Sequence, residues 1–242
     1  MKTLNSRISS IDEEKDEEKR EKLLKTVSDT YQAVVNEYKR IFLTNCYLPT
    51  KTSPSLIING FTERNLTFNF CHSYLSQHHN AIVWQKIPIK GIDRQHVDSI
   101  IIDNDWVIFL EAKRLYDITY FESLLSDLQR IKVFHSYIPL PPKHPKNKAV
   151  VLLADQYFHG ESSKGKKYKT NYYDNFFTSN DIIEMPEIDK LSKPLRKDID
   201  KISNIRCKFE PITISKNSYN INKINITEDI YYTIYCGVYF IE

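Results

Sequence analysis

Between Val97 and Lys113 the chain reads VDSIIIDNDWVIFLEAK, an apolar hairpin with charged ends. With Asn104 and Asp105 as a two-residue turn, Asp103 falls opposite Trp106, Ile102 opposite Val107, Ile100 opposite Phe109 and Asp98 opposite Glu111. The two-residue period of a strand puts Val107, Phe109, Glu111 and Lys113 on one face, so two carboxylates and a lysine converge at one strand end. Cβ atoms directly opposite in a ladder are about 4.5–5.5 Å apart, and bare carboxylates at that spacing repel. A divalent cation removes the conflict. Hard oxygen ligands suit Mg2+, which binds through one or two carboxylates together with substrate phosphates. Such an ion acidifies bound water and stabilises charge developing on a phosphate under attack. Lys113 is placed to orient or help deprotonate that water, or to neutralise charge on the phosphate. The chemistry this pattern suggests is phosphodiester hydrolysis.

A sheet and its covering helices must hold these groups. The spacing predicts a long helix over residues 11–43, where Leu24, Val27, Tyr31, Val34, Tyr38 and Ile41 recur three and four apart. The stripe covers under three heptads, so it is expected to pack on the chain's own core rather than to form a dimerisation zipper. Pro49 to Pro54 reads as a linker. A second helix is expected from Thr62 to His79, capped by Thr62 and apolar at Leu66, Phe70, Tyr74 and Leu75, although Leu66, Phe68 and Phe70 also alternate as a strand would. Extended runs follow at Ala81–Ile89, His96–Asp103 and Trp106–Lys113. A third helix starts near Asp117 or Thr119, with Thr119 and Glu122 in the form of a capping box and Phe121, Leu124, Leu125, Leu128 and Ile131 on one face. After the prolines at 139–145, Ala149–Ala154 is a continuous apolar run of the kind that fills a buried, often parallel strand. The tyrosine-rich pattern from Ile230 to Ile241 is a further strand expected to extend or cover the sheet.

Composition narrows the class. With 242 residues, 41% hydrophobic and 27% charged, the chain is a folded globular type, neither disordered nor a disulfide scaffold. Only 5 glycines occur and no P-loop or dinucleotide fingerprint is present, which argues against those nucleotide-binding classes. No apolar run nears the ~20 residues of a membrane span, and the charged start lacks a secretion signal, so a cytoplasmic location and no membrane partner are expected. Cys46, Cys71, Cys207 and Cys236 lie far apart without a C-x-x-C pair and are read as reduced thiols. The net charge of +3 is small, but seven lysines fall between Lys143 and Lys169, followed by Tyr172, Tyr173, Phe176 and Phe177. Lysines interleaved with aromatics suit phosphates and stacked bases; a solvated loop accounts for the same composition.

Asp98, twelve intervening residues and then Glu111-Ala112-Lys113 resembles the PD-(D/E)xK signature of restriction-endonuclease-like nucleases. The resemblance covers about residues 62–155 and extends to the order of elements: a helix, a strand meander carrying the motif, a helix and a further strand. It implies an α/β fold with a central mixed sheet flanked by helices. The parts would be an N-terminal helical segment over 1–48, a nuclease core over 55–160 and a C-terminal extension over 161–242 packing on that core. It implies metal ligation by Asp98, Glu111 and the backbone carbonyl of Ala112, with Mg2+ as cofactor and Mn2+ as its substitute. Lys113 would be the catalytic lysine and Glu63 the acidic residue that many members carry on the first core helix. The implied substrate is DNA and the implied role a bacterial restriction or defence endonuclease, with a homodimer as one way to cut both strands. Val97 stands where the name-giving proline would be, a position variable in the family. Gln129 is followed by Val133, so the Q-x-x-x-Y pattern of RecB-like exonucleases is missing.

Each residue also has a plainer reading. Glu37-Tyr38-Lys39 has the same ExK form but lies in the first helix, where residues two apart diverge. Glu63 in a first helical turn suits the helix dipole with or without metal. Gln129 and Arg130 follow the motif on the third helix, in reach of a scissile strand or simply at the surface. Lys164, Lys166, Lys167 and Lys169 are the candidate nucleic-acid contacts in the basic segment. Gln85 and His96 are read as strand polar residues near the site, and His72, His78 and His79 as helix-surface residues. Three rival functions remain: a non-catalytic nucleic-acid-binding or scaffolding module of the same fold, a hydrolase of small phosphate esters, and a structural protein that works through its first helix.

Overall fold

The structure is a computed structural model that describes residues 2–43, 63–93, 95–115, 118–159, 202–204, 212–214, 219–221, 224–226 and 230–242. Helix α1 spans Lys2–Leu43 and α2 spans Glu63–Gln77. Strands β1 (Ile82–Pro88), β2 (His96–Ile102) and β3 (Trp106–Arg114) come next, then α3 (Ile118–Phe134) with a short 3-10 turn at His135–Tyr137. Strand β4 covers Asn147–His159, β5 to β8 are short segments at Ser203–Asn204, Ile212–Ile214, Tyr219–Ile221 and Ile224–Ile226, and β9 covers Ile230–Ile241.

The class is α/β. One mixed sheet runs in the order β1-β2-β3-β4-β9-β5, with β6 also on β9, while β7 and β8 pair separately. Among the described strands, only β3 and β4 are parallel, because α3 crosses between them; β1, β2 and β9 join antiparallel. Strands β3 and β4 are buried on both faces. Ile108, Leu110, Ala112, Val151 and Leu153 pack on one side with α1 and α2, and Val107, Phe109, Val150 and Leu152 pack on the other with α3. The sheet is therefore the middle of three layers, which is why AVVLLA carries no polar alternation.

Helix α1 buries Val27, Tyr31, Val34 and Tyr38 against this core, as the spacing predicts; at its start Leu23 is buried and the expected Leu24 only partly so, while the side chain of Ile41 lies outside the described residues. The Tyr31 hydroxyl donates to the carbonyl of Ile234 and so ties α1 to β9. The helix starts at Lys2, well before residue 11; in the added stretch Leu4 and Ile8 lead to Ile11 at steps of four and three, a helical period that the expected 11–43 span does not include. In α2 the ambiguity of Leu66, Phe68 and Phe70 resolves to helix, since Leu66, Phe70 and Tyr74 are buried and Phe68 is exposed. The helix stops at Gln77, so His78 and His79 follow it rather than lie on its surface. Helix α3 begins at Ile118, making Thr119 its second residue and not its cap. Thr62, Asp117 and the Pro49–Pro54 segment lie outside the described residues. Among the described residues, no helix is long and apolar enough to cross a membrane.

Candidate active site at the fork of the hairpin

The β2–β3 register pairs Ile102 with Val107 and Ile100 with Phe109, as the two-residue turn predicts. The turn is pinned by Asp103, whose Oδ1 accepts the amides of Asp105 at 2.8 Å and Trp106 at 2.7 Å. The ladder ends at Ser99 and Leu110, one position short of the expected Asp98–Glu111 pair. Beyond that point β3 continues against β4 as far as Arg114 and Asp155. The β1–β2 register likewise skips the position of Lys86 and Asp98, where Lys86 takes φ 52°, a left-handed backbone that a lysine adopts only under constraint. At this fork Asp98 reaches β3 through its side chain: Oδ2 accepts the Ala112 amide at 3.0 Å. The expected backbone pairing is corrected to a side-chain bridge that leaves Asp98 beside Glu111.

Glu111 lies on the α3 face, as its parity requires, and is 2% exposed. Its carboxyl is held well above the ordinary carboxylate range, first by burial and then by the charges of Asp98 and Asp127; Arg130 and Lys113 pull the other way and do not offset them. Arg130 Nη2 lies 3.0 Å from Glu111 Oε1, and Arg130 Nη1 lies 2.6 Å from Asp127 Oδ1. Lys113 Nζ lies 3.1 Å from the other oxygen of Asp127. A continuous chain of charge thus runs Lys113, Asp127, Arg130, Glu111, with Asp98 next to its end.

The structure brings together Asp98, Glu111, Ala112, Lys113 and Arg130 of the residues singled out in the sequence. Gln129 is half-buried on α3, and Glu63 opens α2 with its side chain outside the described residues. Lys164, Lys166, Lys167 and Lys169 also lie outside them. Of the earlier lysines, Lys143 and Lys146 are exposed, and Lys148 is half-buried in β4, where burial lowers its pKa. His96 contributes its carbonyl, which accepts Arg130 Nη2 at 3.2 Å, and Gln85 is exposed on β1 opposite Ser99. Asp127 was not among the sequence candidates. Its signal was available: it sits three residues after Leu124 and four before Ile131, an acid inside the apolar stripe of α3.

Among the described residues, no group of three or more His, Cys, Asp or Glu side chains is arranged to hold a metal ion. The donors at the fork are two carboxylates, Asp98 and Glu111, and the second is buried and destabilised as an anion by the first. Two hard oxygen donors whose repulsion Arg130 only partly offsets fit a small divalent cation that keeps several waters. A cavity of about 390 Å3 lies elsewhere, at the turn end of the hairpin, lined among others by Lys22, His78, Asp103 and Asp105. Its charges are already engaged, Lys22 with Asp105 at 3.0 Å and Asp103 with the Tyr74 hydroxyl. Comparison with protein-family models, curated proteins and solved structures finds no match for this chain.

Proposed function

We propose that the protein is a metal-dependent nuclease that hydrolyses DNA phosphodiester bonds, of the restriction or defence type, with a restriction-endonuclease-like core. The observation that carries the reading is the juxtaposition at the fork, where the Asp98 bridge to Ala112 sets a second carboxylate beside buried Glu111, with Lys113 two residues on. Support also comes from the element order around it, a helix, three antiparallel strands, a crossover helix and a parallel strand. Asp98, Glu111 and the carbonyl of Ala112 would hold Mg2+ or Mn2+. The bound ion supplies an acidified water and charge stabilisation at the phosphate. Lys113, fixed on Asp127, holds a positive charge at the same strand end and orients the attacking water or neutralises the phosphate. Burial of Glu111 keeps bulk water off one flank of the site, where electrostatic contacts gain strength. The Lys164–Lys169 segment would hold the nucleic-acid backbone, and a homodimer would supply two sites for duplex cleavage.

A second reading, a non-catalytic nucleic-acid-binding module of the same fold, draws on one observation. The chain from Lys113 to Glu111 pairs the catalytic cation and acid internally. Cleavage of supercoiled, linear and single-stranded DNA with Mg2+, Mn2+ or EDTA separates the two. The nuclease reading expects metal-dependent cutting that falls roughly 100- to 10,000-fold in Lys113→Ala and Asp98→Ala. DNA binding that survives Asp98→Ala, without cutting by the wild type under any metal, establishes the binding module instead.

A further inference from the structure

Glu111 already has a cation beside it, and that cation belongs to the protein. Arg130 Nη2 is shared between Glu111 Oε1 at 3.0 Å and the His96 carbonyl at 3.2 Å. Its Nη1 is held independently by Asp127, one turn back on the same helix, at 2.6 Å. The guanidinium therefore stays anchored if its contact with Glu111 opens. Its bonding in this position is also incomplete, since Arg130 Nε is buried without a hydrogen-bond partner among the described residues.

Charge gives the same direction. With all groups ionised, Asp98, Glu111 and Asp127 outnumber Lys113 and Arg130 by one negative charge. A divalent cation turns that excess to one positive charge, and the single negative charge of a phosphodiester restores neutrality. A guanidinium competing for Glu111 loses its reason to stay there once a divalent ion arrives, and the phosphate offers it planar two-point bonding.

We propose, resting on the metal-dependent reading above, that Arg130 is an internal counter-ion that holds Glu111 until a divalent cation displaces it, and that the released guanidinium then serves the substrate phosphate from its anchor on Asp127. The empty site keeps one excess negative charge, with Glu111 paired by Arg130, and exchanges one cation for another on loading. Calorimetric titration of the full chain with MnCl2 and with MgCl2 tests this, using wild type, Arg130→Met and Arg130→Lys, with folding checked by circular dichroism. Removing the competitor is expected to tighten cation binding in Arg130→Met by on the order of tenfold, while DNA cleavage falls; Arg130→Lys, a point charge that cannot span both acids, lies between. An unchanged or weaker affinity in folded Arg130→Met overturns the proposal and leaves the metal reading intact. Should Arg130→Met not fold, an affinity of Arg130→Lys equal to wild type overturns it in the same way. Absence of cation binding in every variant, wild type included, removes the metal reading itself and this proposal with it.

Discussion

Arg114 and Asp155 face each other across the parallel β3–β4 ladder and form a two-point ion pair, Nε to Oδ1 at 3.2 Å and Nη2 to Oδ2 at 2.7 Å. Both are almost wholly buried. The Leu115 amide donates to the Asp155 carbonyl at 2.8 Å, so the pair also fixes the exit of β3. It lies on the sheet face opposite Glu111, directly after the proposed catalytic lysine.

Breaking this pair from one side strands a buried charge. Asp155→Ala is expected to destabilise the protein by about 3–5 kcal/mol in urea unfolding, whereas the double change Arg114→Met with Asp155→Leu costs far less or nothing. Equal losses in the single and double variants contradict this account of the pair.

Stability without divalent ions should depend on pH through Glu111. Its carboxyl is raised above 4.5 in the fold, so from that pH upward the unfolded chain has released a proton that the folded chain still holds. The unfolded state then binds fewer protons, and folding stability falls as pH rises through the interval up to the folded value. Glu111→Gln does not titrate, and its stability relative to wild type is expected to climb with pH by at most about 1.4 kcal/mol per unit. Urea melts in EDTA at several pH values measure the difference. Parallel pH profiles for the two proteins refute it.

The helical reading of α2 has a direct test. Leu66 is 0% exposed and Phe68 is 55% exposed, so Leu66→Ala is expected to cost about 2–5 kcal/mol and Phe68→Ala less than about 0.5 kcal/mol. Similar losses at both positions return the segment to the alternating strand pattern.

Much of the architecture was legible because the binary pattern is strong where the core is. The hairpin register followed from Asn104 and Asp105, and the buried parallel strand from an apolar run without alternation. The α1 stripe identified the face that packs on the core, although such a stripe does not mark where a helix begins, and α1 reaches back to Lys2 through a mixed polar stretch. At the site, parity placed Glu111 and Lys113 on one face, but pairing rules could not anticipate that the ladder opens before Asp98. That departure depends on the Lys86 backbone and on β3 holding to β4, both products of the assembled sheet. Asp127 is not distinguished as a site residue by its spacing alone, because an acid within an apolar stripe becomes informative only once a cation stands opposite it.

The pairing of β9 with β4 has a consequence for the order of assembly. β4 is buried on both faces, and one of its edges is completed by residues 230–241, delivered only after residues 160–229. Pairing strands so far apart in sequence is entropically costly, so the β4 edge is expected to be completed late in folding and until then is a template for pairing with another chain. The β3 site borders that strand. If β9 closes late, the site's surroundings are complete only then, and low expression temperature and low chain concentration are expected to raise the yield of folded protein.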